Sequence, residues 1–205
     1  MKFYKSIVLA ILGFIVLNSC YFTPKYTFNN SRFIDTFILD QNKKHLLIKN
    51  NFHSDNIDFR KKIDDDFKRV VGDHLYFENS IIDFDNNRPI LVTPYLIDLL
   101  TEAYSSQYDY VLFLTFVRVP ENESDLNDKI VSIKKTTRVV KRNYNVILTI
   151  VDLKERKIVY CKEAISSYNK YLSTGITTSP FQQIEGTFNV LFKDFEKKLP
   201  KKKSK

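Results

Sequence analysis
The sequence predicts an α/β (α+β) domain: a mixed β-sheet with about three helices packed on it, ordered βαβα, then a three-stranded meander and a C-terminal helix. Three observations carry that prediction. Tyr110 to Val119 reads YVLFLTFVRV, apolar at nearly every position, as a central strand covered on both faces would be. Tyr144, Val146, Leu148 and Ile150 then alternate with their neighbours in the period of two expected of a strand. Near the end of the chain, Phe181, Ile184, Phe188, Leu191, Phe192, Phe195 and Leu199 form one apolar stripe at helical spacing.

Taken in order, Phe33 to Leu39 and His45 to Lys49 make a first pair of strands, separated by the turn-prone Asp40-Gln41-Asn42-Lys43. A helix follows, capped by Ser54 or Asp55, with Phe59, Ile63, Phe67 and Val70 on one side. Gly72 is placed to end it in a left-handed conformation. Leu75 to Phe84 alternates imperfectly and is expected to be a strand. Thr93-Pro94 opens a second helix, a good cap followed by a proline whose missing N–H costs nothing there, and Leu96, Leu99, Leu100 and Ala103 share one of its sides. After the Tyr110–Val119 strand, Pro120 stops the run and PENESDLNDK makes an acidic surface loop. The meander is expected over Ile130–Val140, Tyr144–Asp152 and Lys157–Tyr168, with Leu153-Lys154-Glu155-Arg156 as the hairpin connection. Ser179-Pro180-Phe181-Gln182 then matches a capping box with proline at the first helical position.

Hydrophobic residues make up 43% of the chain, aromatic residues 14% and charged residues 27%, enough apolar material for a core and too much for a disordered chain. Four glycines and no tryptophan leave little from which to build a phosphate-cradling loop. The formal charge of +8 belongs to the ends of the chain. Lys2 and Lys5 open it and Lys197, Lys198, Lys201, Lys202, Lys203 and Lys205 close it, so the body between them is formally neutral. A neutral body lacks the sustained basic face of a nucleic-acid-binding domain, and nucleic acid is not expected as a partner.

The first twenty residues, MKFYKSIVLAILGFIVLNSC, comprise a short charged start, an apolar run from Ile7 to Leu17 and a small-residue cleavage site. Eleven helical residues span about 16 Å, short of a hydrocarbon core of about 30 Å, so a secretory signal fits better than a permanent membrane span. Leu17-Asn18-Ser19-Cys20 resembles the lipobox of bacterial lipoproteins. That resemblance implies that Leu17 and Ser19 are read by the signal peptidase and that Cys20 becomes the acylated N-terminus. Two or three acyl chains anchor firmly, each buried methylene contributing about 0.8 kcal/mol. The implied partner is a lipid bilayer, held through Cys20. By analogy with enterobacterial lipoprotein sorting, Tyr21 in place of Asp implies the outer membrane, facing the periplasm. An ordinary secretory signal with an incidental cysteine is the alternative. The resulting organisation is a signal peptide over 1–19, a tether over 20–32 containing Pro24 and polar residues, a single α/β domain over 33–199 and a basic tail over 200–205. Apart from Cys20 the chain has only Cys161, set in the apolar stretch Ile158-Val159-Tyr160-Cys161 and expected to be kept by burial.

The element order resembles a group of envelope proteins: the curli-secretion lipoprotein, the penicillin-binding-protein-activator lipoproteins and the N-terminal domain of the Tol-system propeller protein. The residues that carry the resemblance are Gln107-Tyr108-Asp109-Tyr110-Val111-Leu112-Phe113 and the hairpin from Val146 to Val159, where alternating aliphatics lead to Asp152, a turn and Lys157-Ile158-Val159. The glycines usual in that group before the strand and in the hairpin turn are absent. The resemblance implies an α/β domain that binds another envelope protein and performs no catalysis.

A search for chemistry finds no G-x-S-x-G, H-E-x-x-H, G-x-x-x-x-G-K-[ST] or C-x-x-C pattern. His45, His53 and His74 stand alone and are expected on the surface or at strand ends; no catalytic residue, metal ligand or cofactor is assigned. Consecutive helical positions such as Asp64-Asp65-Asp66 point about 100° apart and do not converge on one cation. Asp83-Phe84-Asp85-Asn86-Asn87 lacks the glycine and glutamate of a calcium loop and is expected to be a strand entering an Asx-rich turn. Lys201, Lys202 and Lys203 are the candidate contact to an anionic bilayer or another polyanion, the plainer reading being a solvated end. The expected function is a lipid-anchored envelope adaptor or assembly module. The alternative is an envelope lipoprotein that holds an apolar or peptide ligand in a cavity lined by the aromatic stripe, although such a stripe is more often core.

Overall fold
The structure is a computed structural model that describes residues 24–29, 34–50, 57–78, 93–119, 139–171 and 179–198. Among these the chain runs β1 (Lys25–Phe28), β2 (Ile34–Asp35), β3 (His45–Asn50), α1 (Ile57–Val71), β4 (Leu75–Glu78), α2 (Pro94–Tyr104), β5 (Tyr110–Val119), β6 (Val139–Asp152), β7 (Lys157–Tyr171) and α3 (Pro180–Glu196). The strands form one mixed sheet in the order β1-β7-β6-β5-β3-β4, with β2 also paired to β7. β4, β3 and β5 are parallel; β5, β6, β7, β1 and β2 pair antiparallel. This is the predicted mixed α/β architecture.

Two crossovers build the parallel part. The chain steps from β3 outward to β4 through α1, then back past β3 to β5 through α2. Because these steps run in opposite directions, right-handed connections place the two helices on opposite faces of the sheet. On the first face Phe59, Ile63 and Phe67 of α1 and Phe188, Phe192 and Phe195 of α3 close over Leu47, Leu112, Leu114, Val146, Leu148 and Ile150. The rings pack edge to face, Phe67 against Phe192 at 5.1 Å and Phe59 against Phe188 at 5.7 Å. Each fully buried ring contributes about 1.5–3 kcal/mol by leaving water. On the second face α2 lays Leu96, Ile97 and Leu100 over Leu46, Ile48, Val111, Phe113 and Val151. β5 lies between β3 and β6, and every residue from Val111 to Phe116 is buried, as its unbroken apolar run requires.

The helix ends follow their sequence signals. Gly72 ends α1 at φ 90°, its N–H donating to the Lys68 carbonyl at 2.8 Å. Thr93 Oγ1 accepts from Leu96 N at 3.3 Å, and both halves of the Ser179–Gln182 capping box form. In the β6–β7 hairpin, Asp152 Oδ1 accepts from Lys154 N and Glu155 N, and Arg156 takes the left-handed position at φ 51°, where a glycine would be at home. A bulge follows: Ile150 faces Tyr160 but Val151 faces Ile158, so both Val159 and Tyr160 enter the first core. The carbonyl of the bulged Val159 accepts from Thr36 N at 3.0 Å.

Several expectations are corrected. Lys25–Phe28, expected within the tether, is the edge strand β1, so the domain begins before Phe33. Among the described residues, Ile34–Leu39 does not pair with His45–Lys49, and Phe33 lies outside them. Only Ile34–Asp35 is a strand there, on β7, after which Phe37 and Leu39 turn into the first core without a ladder. Their alternation with exposed Ile38 imitates a strand because one side of an irregular segment is buried. Val139 and Val140 are not the end of a separate strand but the start of β6, which continues through Lys141-Arg142-Asn143 in register with β7. The meander is therefore β5, β6 and β7, and β7 extends to Tyr171. On α2 the buried stripe is Leu96, Ile97, Leu100 and Thr101, while Leu99 and Ala103 face outward. β4 is described to Glu78; Ser54, Asp55, the Pro120 loop, Ile130–Arg138 and Leu199 lie outside the described residues.

Candidate functional site
Neighbouring residues on a strand point to opposite faces, and in β7 that rule separates Lys162 from Glu163. The two are buried charged residues on the strand next to the sheet edge. Their surroundings differ sharply.

On the first face Lys162 is enclosed by acid. Its Nζ donates to Asp194 of α3 and lies 3.5 Å from Asp35 of β2, while Lys198 pairs with Asp35 and Lys197 reaches Asp194 at 3.2 Å. Burial pushes the Asp194 carboxyl upward, but hydrogen bonds and charge from Lys162 and Lys197 prevail and hold it below the usual range. The Tyr160 ring lies 5.7 Å from Lys162 Nζ; burial, and then the charges of Asp194 and Asp35, push its phenol far up. Three lysines and two aspartates thus tie β2, β7 and α3 together, with one positive charge in excess. The network holds structure, while the buried Tyr160 hydroxyl beside it has no hydrogen-bond partner.

On the second face α2 covers only the β3, β5 and hairpin end. Toward β1 the register brings together Thr115, Ile147 and Glu163 in one row, and Phe113, Thr149 and Cys161 in the next. Asn145, diagonal to Glu163, donates its amide to Glu163 Oε1 at 2.6 Å. Asn29, just beyond β1, donates to Oε2 at 2.7 Å, and its backbone N–H bonds the Glu163 carbonyl at 2.9 Å. Asn145 Oδ1 is buried without a hydrogen-bond partner. Thr149 Oγ1 lies 3.6 Å from Cys161 Sγ. This buried polar floor, built by β1, β7 and β6 around a carboxylate, is the candidate site.

The residues singled out from sequence fall elsewhere. Leu17, Ser19, Cys20, Lys201, Lys202, Lys203, His53 and Asp83–Asn87 lie outside the described residues. Cys161 is half-buried on the second face rather than within the core. His45 does open a strand, but it is fully buried between Phe37 and Tyr110, whereas His74 is exposed. Neither ring nitrogen of His45 has a partner of full hydrogen-bond geometry. Burial brings its pKa down to about 4, against weaker upward pulls from the Lys43 backbone, Asp109 and Asp40. The three consecutive aspartates diverge as expected: Asp64 pairs with Lys49 at 2.5 Å, Asp66 with Arg69 at 3.1 Å, and Asp65 is exposed. The aromatic stripe of α3 packs ring on ring within the first core, so it fills space rather than lining it. Among the described residues no helix is long and apolar enough to cross a membrane.

Glu163, Asn145 and Asn29 were not singled out from sequence. The signal was there in part: Lys162-Glu163 places two charges side by side between Ile158-Val159-Tyr160-Cys161 and Ala164-Ile165, which puts one on each face. Asn29 could not be read, since its role depends on β1 pairing with a strand 134 residues away.

No protein-family model matches the chain, and no curated protein does either. Among solved structures it is similar to the PelC dodecamer from Paraburkholderia phytofirmans, at 10% identity over 83% of this chain and 91% of that one, with a TM-score of 0.35. It is also similar to the hypothetical protein CT253 from Chlamydia trachomatis, at 9% identity over 76% of this chain and 96% of that one, with a TM-score of 0.35. Likeness at this level transfers no residue role to this chain.

Proposed function
We propose that this chain is a lipid-anchored cell-envelope protein, held by acylated Cys20, whose α/β domain is a non-catalytic binding module acting as an adaptor or assembly factor. The single observation that carries the reading is Leu17-Asn18-Ser19-Cys20 at the end of a charged start and an apolar run too short to span a bilayer. The body is consistent with it in carrying a polar cluster on the second face, where the Glu163 carboxylate is steadied by two amides. The alternative of an apolar ligand in an aromatic-lined cavity gains nothing from α3, whose rings pack on one another.

The test is cross-linking in intact cells, followed by capture through a tag near Ser204, with Cys20→Ala as the unanchored control. A reproducible envelope partner that is lost in the control is the expected outcome. A protein that fractionates as water-soluble and unacylated, without stable neighbours, would overturn the reading.

A further inference from the structure
Phe37 to Asp40 joins no ladder and crosses the end of the sheet as a strap. At one end Thr36 is fastened to the bulge of β7, its N–H and its hydroxyl both donating to the Val159 carbonyl, at 3.0 and 3.1 Å. At the other end Gln41 Nε2 donates to the Val70 carbonyl at 2.9 Å, and the Lys43 N–H closes a turn on the Asp40 carbonyl at 3.1 Å. Between these fastenings the seat is apolar. Phe37 and Leu39 are buried in the first core, with Phe195 of α3 stacked on Phe37 at 6.4 Å, while Ile38 is exposed. A segment held by two side chains between two anchored ends is a unit that can lift without unfolding the sheet beneath it.

The strap covers His45. Phe37 lies edge-on to the imidazole at 6.5 Å and to Tyr110 at 5.4 Å, and neither nitrogen of the fully buried ring has a partner of full hydrogen-bond geometry. A charge on that ring would be buried and unpaired, which is costly. The groups whose charge or dipole reaches it come from every side of the corner: Asp40 from the strap, the Lys43 backbone from the turn, Asp109 and Tyr110 from the start of β5, and His74 from just before β4. Lys43 Nζ is itself 3.6 Å from Asp109. Asp40 is exposed and the Asp109 side chain is 41% exposed, so both carboxylates stand at the surface. A neutral ring thus suits the inside of this corner, and a charged ring suits its outside, in water beside two carboxylates.

We propose that the Phe37–Asp40 strap is an acid-released cover: protonation of His45 favours a state in which the strap lifts, the imidazolium is hydrated beside Asp40 and Asp109, and Phe37 and Leu39 are presented to solvent. The device belongs to the fold and goes beyond the binding-module reading, which it does not need. Lifting is a minor excursion at pH 7, because it takes two buried side chains out of the first core. In the lifted state the ring has its ordinary pKa of 6.5, against about 4 when covered, so the lifted fraction grows about twentyfold from pH 7 to pH 5.

The test is thiol labelling of the full chain carrying Leu39→Cys, with 4,4′-dithiodipyridine as the probe at pH 7 and pH 5. Labelling is read by mass on the peptide that contains residue 39 and divided by the rate of the same peptide free in solution. A separate Val146→Cys chain reports opening of the whole domain, since Val146 is fully buried in β6. The residue-39 thiol is expected to react faster than the residue-146 thiol at both pH values, and its corrected rate to rise about twentyfold on acidification. In the added presence of His45→Phe, or of His45→Gln if that chain does not fold, the rise is expected to vanish. If Leu39→Cys does not fold, thermolysin cleavage between Phe37 and Leu39 in the unsubstituted chain gives the same comparison. A corrected rate that does not change with pH, a rise that survives loss of the imidazole, or equal rates at residues 39 and 146 overturns the proposal.

Discussion
Replacing His45 by Phe should remove a specific acid sensitivity from this domain. The imidazole is fully buried, stacked on Tyr110 at 5.3 Å with Phe37 edge-on at 6.5 Å, and its pKa is about 4 against an ordinary 6.5. Between those two values the unfolded chain binds a proton that the folded one refuses. Stability therefore falls as the pH drops from 6.5, and the loss is complete below about 4. The whole shift corresponds to about 3 kcal/mol, and about 2 kcal/mol of it is already lost at pH 5. Phe fills a similar ring-shaped space and has no nitrogen to leave unpartnered, so at pH 7 the variant should be as stable as the wild type or slightly more so. Urea unfolding of both proteins at pH 7 and pH 5 isolates the effect, because every carboxylate contributes equally to both. With a slope of about 2 kcal/mol per molar urea, the wild-type midpoint should fall about 1 M further than that of the variant. Parallel losses in the two proteins would refute the reasoning, since His45 would then be accepting its proton in the folded state.

Three further outcomes are expected. Lys162→Met leaves Asp35 and Asp194 facing only Lys197 and Lys198, and should cost about 3 kcal/mol near neutral pH in urea titrations. Because the Asp194 pKa lies below its ordinary 3.8, that gap is present above about pH 4 and should close as the pH falls through the lowered value. Gly186→Ala would set a Cβ 2.6 Å from Tyr26 Cζ, so despite a gain in helix propensity of about 1 kcal/mol it should displace Tyr26 and speed hydrogen exchange in β1. Adding Tyr26→Ala should restore the stability of α3 but not β1 protection, and additive losses in the double variant would count against the contact. Ser179→Ala removes one half of the capping box and should lower stability by about 1 kcal/mol, read from the urea midpoint.

What the chain discloses in advance is whatever depends on local period and local caps. α1, α2 and α3, the Ser179 box, the Gly72 stop and the buried run of β5 are all written within short windows. What stays hidden depends on distant pairing. Lys25–Phe28 has too few apolar residues to announce a strand, and it becomes one because β7 offers an edge. Lys141-Arg142-Asn143 reads as a break, yet the strand carries these polar residues because β7 continues its ladder alongside them. The exposure of Leu99 turns on which side of α2 the sheet occupies, and neighbouring helical positions such as Leu99 and Leu100 differ in direction by only about 100°. The candidate site is hidden for the same reason: Asn29, Asn145 and Glu163 come from three separate stretches of chain, and no spacing within any one of them encodes their meeting.

The pairing of β1 with β7 also sets an order of events in folding. Asn29 and Glu163 are 134 residues apart, so β1 cannot take its place until β7 is there to receive it. Closing so long a loop is slow relative to forming the β6–β7 hairpin or any of the helices, whose contacts are local. Among the described strands, the one synthesised first is thus the one whose pairing closes the longest loop.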